Sequence, residues 1–211
     1  MRRIVLTLSL LVAAGIVGWF WPLFHVVSLE ARSADRKPAQ FHAAEFAAKF
    51  WDSSLAAALP GAADAAKLLA ALRENPQQAR EEFGLSVGLS RKYYFFVRGA
   101  GTIVAVNDKE VGVALQDDGR QADVLFVRGL VFGNAARDAT GLLNPSDFPN
   151  SQHFNDISTA LNRLVEARVL PALNKRAEVG RPIQFVGCAE AEIQAGGQVQ
   201  LKCIPLEVRF D

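Results

Sequence analysis

The chain has 211 residues, carries a formal net charge of +1, and is 50% hydrophobic. That length builds one core of ordinary size, in one or two domains. Near-neutrality removes the electrostatic footprint of a nucleic-acid binder, so nucleic acid is not expected as a partner.

The first element is apolar. After Arg2 and Arg3 no acidic or basic residue except His25 appears until Glu30. Ile4 to Phe24 is about 20 residues, the length that crosses a hydrocarbon core. Trp19 and Trp21 stand at its far end, where an interfacial aromatic belt sits. Residues 1–25 therefore read as a membrane anchor. Arg2 and Arg3 stay cytoplasmic, and the body lies on the periplasmic side of a bacterial inner membrane. A cleaved signal peptide is the alternative reading of this segment. Residues 26–38 form a charged linker.

A helical subdomain is expected over 39–90. "AQFHAAEFAAKFWDSSLAAAL" places aromatics at helical spacing and ends at Pro60-Gly61. "AADAAKLLAALREN" is a second helix. A third starts at Asn75-Pro76, with Asn75 as cap and Pro76 in the first helical position, and Gly84 is its expected stop.

The pattern then changes to strands. "YYFFVRGAGTIVAVN" (93–107), "EVGVALQ" (110–116) and "ADVLFVRGLVF" (122–132) are separated by turn signals and form a meander. Gly99 and Gly101 mark where the first of them can bend. "DISTALNRLVEARVLPAL" (156–173) is amphipathic, with Ile157, Leu161, Leu164, Val165 and Val169 on one face. "RPIQFVGCAEAEI" and "QVQLKCIPLEVRF" form a final hairpin, and Pro205 places its strand at an edge or a bulge. Three strands, a helix and two strands are the order of a five-stranded OB-like barrel. The expected fold class is thus α+β: a transmembrane helix, a helical subdomain, then an OB-like barrel over 91–211. An ordinary α+β sandwich is the alternative.

Cys188 and Cys203 are the chain's two cysteines. With Ala195 and Gly196 central in the hairpin turn, they face one another across it. A disulfide is expected in an oxidising periplasm, contributing about 3 kcal/mol if unstrained. Reduced, half-buried thiols are the alternative.

Chemistry-bearing motifs are sparse. "GLSVG" (84–88) matches the spacing of a hydrolase elbow, but a helix precedes Ser86 and a strand follows, the reverse of that architecture. The histidines His25, His42 and His153 are not at metal-ligand spacing. Neither a metal nor a cofactor is expected. In "YYFF" alternation sends Tyr93 and Phe95 to one face and Tyr94 and Phe96 to the other, so at least one pair is core. The other pair is a candidate stacking platform.

The polar run "GNAARDATGLLNPSDFPNSQHFND" (133–156) is the main candidate site. Asn134, Arg137, Asp138, Asp147, Asn150, Gln152 and His153 offer hydrogen bonds to a polyol or a partner, and loops this long are usually functional or disordered. The competing reading is internal scaffolding. There Asp138 and Asn144 make Asx turns, Arg137 pairs with Asp138 or caps carbonyls, and Asn155 or Asp156 caps the next helix.

These segments resemble a known family. "FHAAEFAAKFWDSSLAAAL", "YYFFVRGAGTIVAV", "FGNAARDATGLL", "NPSDFPNSQHFNDISTALNRLVEARVLPAL" and "RPIQFVGCAE" are similar to the predicted periplasmic lipoproteins of domain-of-unknown-function family 2291. The resemblance covers about residues 38–208, most specifically at "GNAARDATG" and "DFPNSQHFN". It implies an exported, membrane-attached protein, associated with sugar ABC-transporter components, and no catalytic residue. The sequence departs from the lipoprotein pattern in having no cysteine near its start to receive a lipid, so anchoring rests on residues 4–24.

The expected function is that of a non-enzymatic, membrane-anchored periplasmic accessory protein of ABC-type sugar uptake. A direct sugar or polyol binder is the second reading. A glycan-acting envelope enzyme using Asp138 and Asp147 is the third, and it requires two carboxyls about 5 to 10 Å apart in a cleft.

Overall fold

The structure, a computed structural model, describes residues 41–87, 92–116, 121–193 and 198–210. The expected anchor over 4–24 and the linker over 26–38 lie outside the described residues. No described helix is long and apolar enough to cross a membrane.

Helix α1 (Ala43–Phe50) continues through a π-helical turn, Trp51–Leu55, and Ala56–Ala58. It ends in a 3-10 turn, Leu59–Gly61, where Pro60 breaks the helical bonding as expected. Its buried stripe is Ala47, Phe50 and Leu55. A two-residue strand, β1 (Ala63–Asp64), leads into α2 (Ala65–Glu74), which Asp64 caps by accepting from Lys67 N at 3.0 Å. Asn75 caps α3 (Pro76–Phe83) in the same way, accepting from Gln78 N at 3.2 Å. Gly84 does stop α3, but with extended backbone rather than a left-handed cap. Its role is clearance, because a Cβ there would stand 2.6 Å from Arg80 O. Strand β2 (Gly84–Leu85) follows.

The barrel strands are β3 (Tyr94–Val106), β4 (Glu110–Ala114), β5 (Val124–Val127), β6 (Pro182–Ile193) and β7 (Val199–Phe210). They are bonded in the order β3-β4-β5-β7-β6, and β6 returns to β3, so the sheet is closed. The β5–β7 pairing is parallel and the others around the barrel are antiparallel. Closure removes the edges of the barrel strands. Strand β3 serves both halves, as its glycines suggest: Phe95–Thr102 pair with β6 and Thr102–Val106 with β4. At the handover, a Cβ on Gly101 would collide with Ala114 O, and one on Gly99 would stand 2.8 Å from the Phe185 ring. Both positions need glycine for close approach, not for an unusual φ. The interior is filled by Val97, Ile103, Val111, Val113, Val124 and Leu201, with Phe126 edge-on to Phe185 at 4.9 Å.

Three sequence expectations are corrected. First, β5 stops at Val127, so Arg128–Phe132 is loop. Second, the helix expected from Asp156 begins at Ser151: α5 spans Ser151–Arg168, and α6 (Leu170–Arg176) follows it. Asn150 is the cap, accepting from His153 N at 2.9 Å. Third, the last hairpin is offset by one residue. Ile193 pairs with Val199, and Cys203 faces Ala189 while Cys188 faces Ile204. Successive strand residues point to opposite faces, so the two thiols are on opposite sides of the sheet. Both are free and buried, and the expected disulfide is absent. Pro205 fits the bulge reading: the register shifts between Val186 and Gly187, whose partner is Pro205.

The helices and the barrel make one compact unit, His42–Asp211. Helix α1 packs on α5, and Arg73 pairs with Asp123 at 2.8 Å.

Candidate functional site

The polar run does not form an open loop. Gly133 turns the chain with φ +88, and Asn134 leads into a short helix, α4 (Ala135–Asp138). Arg137 and Asp138 are 4% and 3% exposed. Arg137 Nε and Nη2 donate to the two Asp138 carboxylate oxygens at 2.6 and 3.0 Å. Arg137 Nη1 donates to Phe154 O at 3.0 Å and Asn155 Oδ1 at 3.2 Å, and the guanidinium lies 3.7 Å from the Phe154 ring centre. Four hydrogen bonds and the ring contact compensate this buried cation, which is the condition for burying one. The ring ladder continues from Phe154 to Phe148 at 5.4 Å and from Phe148 to Phe46 of α1 at 5.5 Å. The run is therefore a clamp joining α4, α5 and α1.

The other predicted site residues divide. Asn144 makes the expected Asx turn, accepting from Ser146 N at 2.9 Å. Asn150 is consumed by its cap. Gln152 donates to Asp156 at 2.8 Å along α5. Asp147 is exposed in a 3-10 turn, Pro145–Asp147, and His153 is half-buried in the first turn of α5. These side chains do not converge on one cavity. The carboxylate pair that a glycan-cleaving site needs does not form: Asp138 is buried in its ion pair while Asp147 faces solvent. The aromatic platform also fails as pairs, since Phe95 and Tyr94, one from each face, are both buried. Among the described residues no cluster of His, Cys, Asp and Glu could hold a metal.

Charge in the clamp reaches two neighbours. Burial pushes the Cys188 thiol far above its usual range, with the Asp138 carboxylate adding to the effect. Burial also raises Cys203, helped by Cys188. Tyr94 is raised first by burial, then by Glu190 and Asp138. None of these groups is primed as a nucleophile.

The sequence reading missed the neighbouring surface. The loop after β5 is pinned to one stripe of α5. Val131 N donates to Glu166 Oε1 at 2.7 Å, and Asn162 Nδ2 and Ser158 Oγ donate to Gly133 O at 3.0 and 2.9 Å. Ser158 Oγ also lies 3.0 Å from Asn134 Oδ1, which is how Asn134 enters the arrangement. With Val131 buried, alternation turns its neighbours outward: Leu130 is 69% and Phe132 77% exposed. Between loop and helix lies a cleft of about 490 Å³, lined by Leu130, Phe132, Asn155, Asn162, Arg163 and Glu166. A second cleft, about 620 Å³, lies where Leu59, Pro60 and Asp64 meet Arg98, Phe185 and Arg209. The signal for the first was present: Ser158 and Asn162 are polar residues at i and i+4 inside the Ile157–Leu161–Val165 apolar stripe.

Comparison with known proteins agrees with this architecture. The chain is similar to a crystal structure of an OB-fold protein from Thermotoga maritima MSB8, with a TM-score of 0.69 and 27% identity over 81% of this chain and 99% of that one. No curated protein matches significantly. The family described as predicted periplasmic lipoprotein, domain of unknown function 2291, matches residues 12–209, and the chain belongs to that family.

Proposed function

We propose that this protein is a non-enzymatic accessory binding protein, held on the periplasmic side of the inner membrane through residues 4–24, that assists ABC-type sugar uptake. Its family supports the periplasmic setting. The observation that carries the binding role is the loop after β5. Three α5 side chains hold it so that Leu130 and Phe132 project into solvent beside a cleft. Exposing two large apolar side chains on a pinned loop is unfavourable unless a partner or ligand covers them. Deleting the gene and measuring uptake across a panel of pentoses and hexoses tests the transport role. A selective fall in uptake is expected, and unchanged transport of every sugar would sink it.

A second reading, direct binding of a small sugar or polyol, is favoured by the polar lining of the same cleft. It places the site at the two ends of the polar run, where Asn134 and Asn155 line the cleft with Leu130 and Phe132.

A further inference from the structure

The cleft of about 620 Å³ shares no lining residue with the one beside α5. Strand register sets its floor. Asp64 of β1 lies beside Arg98 of β3, Arg98 pairs with Val186 of β6, and Val186 pairs with Glu207 of β7. Ala100, Gln184 and Arg209 make the next row on the same face, two residues along each strand. The tail of α1 supplies the wall, with Ala56, Leu59 and Pro60.

The four charges of this floor are not equivalent. Glu207 and Arg209 pair with each other at 3.0 Å. Asp64 and Arg98 stand on adjacent strands but do not pair. One Asp64 oxygen is held by the α2 cap, where it accepts from Lys67 N. Among the described residues, the other Asp64 oxygen and the Arg98 guanidinium have no partner. Both side chains are exposed and both line the cleft. Adjacent strands lie about 4.8 Å apart, so an anion and a cation open side by side into one space. A guanidinium takes a carboxylate as a fork, and an aspartate oxygen accepts from an ammonium group. A neutral molecule, an anion or a cation leaves at least one of the two unmatched. An α-amino acid matches both, because its carboxylate and ammonium sit on one carbon. The apolar wall, with Ala100 and Val186 on the floor, suits an apolar side chain. The volume falls within the range of small-molecule sites, roughly 300–1,000 Å³.

We propose that this second cleft binds a free α-amino acid with an apolar side chain. Arg98 takes its carboxylate, Asp64 takes its ammonium group, and Leu59 and Pro60 cover its side chain. The proposal stands apart from the sugar reading of the cleft beside α5.

The test is isothermal titration calorimetry on the full-length protein in detergent micelles, with L-valine, L-leucine and L-phenylalanine as probes. Saturable binding of at least one is expected. The N-acetyl and amide derivatives of that amino acid each lack one charge, and each is expected to bind about tenfold more weakly or worse. Arg98→Gln removes the cation, and Asp64→Asn removes the anion while keeping a competent helix cap. Each is expected to weaken binding to the same degree with the folded circular-dichroism spectrum retained. Phe132→Ala, in the other cleft, is expected to leave it unchanged. No saturable binding of any of the three amino acids would overturn the proposal. Binding that survives both Arg98→Gln and Asp64→Asn, or equal binding of the N-acetyl or amide derivative, would overturn it too.

Discussion

Arg137 and Asp138 decide how the polar run is understood. Adjacent charged residues in a sequence give no sign of whether they face water. Only the fold shows that Phe154, through its ring and its carbonyl, and Asn155 complete the arginine's shell. Removing one partner of a buried pair strands the other. Asp138→Ala is therefore expected to lower stability by about 3–5 kcal/mol in chemical denaturation. Replacing both, Arg137→Met with Asp138→Leu, is expected to recover most of that loss. A cost under about 1 kcal/mol for the single change would show that the pair is solvated in solution. The thiols give a pH dependence at the same scale. Their folded pKa values are raised by burial, so above about pH 8.5 the unfolded chain loses thiol protons that the folded chain keeps. Each thiol then lowers stability by about 1.4 kcal/mol per pH unit as pH rises. Unfolding measured from pH 7.5 to 9.5 is expected to show this decline, flattened in the Cys188→Ala/Cys203→Ala protein. Equal slopes in the two proteins would contradict it.

At the scale of elements, local chemistry predicted what local chemistry determines. Asn75 and Pro76 started a helix, and the strand order emerged from alternation and turn residues. Choices settled by distant partners were not legible. Asn150, Asn155 and Asp156 are all competent caps; the helix starts at the first because Phe154 O and Asn155 must reach Arg137. Turn chemistry in the sequence centres the final hairpin between Ala195 and Gly196, yet the observed register follows barrel closure, with Leu201 on Val124 and Cys203 on Phe126. The one-residue offset moved the cysteines to opposite faces. The exposed Leu130 and Phe132 read as strand because apolar residues without partners look the same in sequence. Two substitutions test the element account. Asn150→Ala is expected to cost about 1 kcal/mol, as loss of a helix cap does. Gly101→Ala meets Ala114 O across the β3–β4 contact and is expected to cost about 3 kcal/mol, whereas Gly61→Ala, with open space around it, is expected to be near neutral. Equal melting temperatures for the two glycine variants would refute the close-approach explanation.

For the whole molecule, the closed barrel holds residues 135–139 of its polar insertion inward, while 144–147 and 149–152 stay exposed. The pinned loop beside α5 is a second outward surface. The anchor over residues 4–24, the transporter association and the ligand are expectations of the proposed role, and they share one consequence: function depends on the Leu130–Phe132 surface, not on the exposed 144–152 part of the polar run. Uptake restored to the deletion strain by plasmid-borne variants tests that division most directly. Asp147→Asn, an exposed change in the run, is predicted to restore sugar uptake to the wild-type level, whereas Phe132→Ala, at equal abundance in the membrane fraction, is predicted not to. Full restoration by Phe132→Ala with failure of Asp147→Asn would contradict the account.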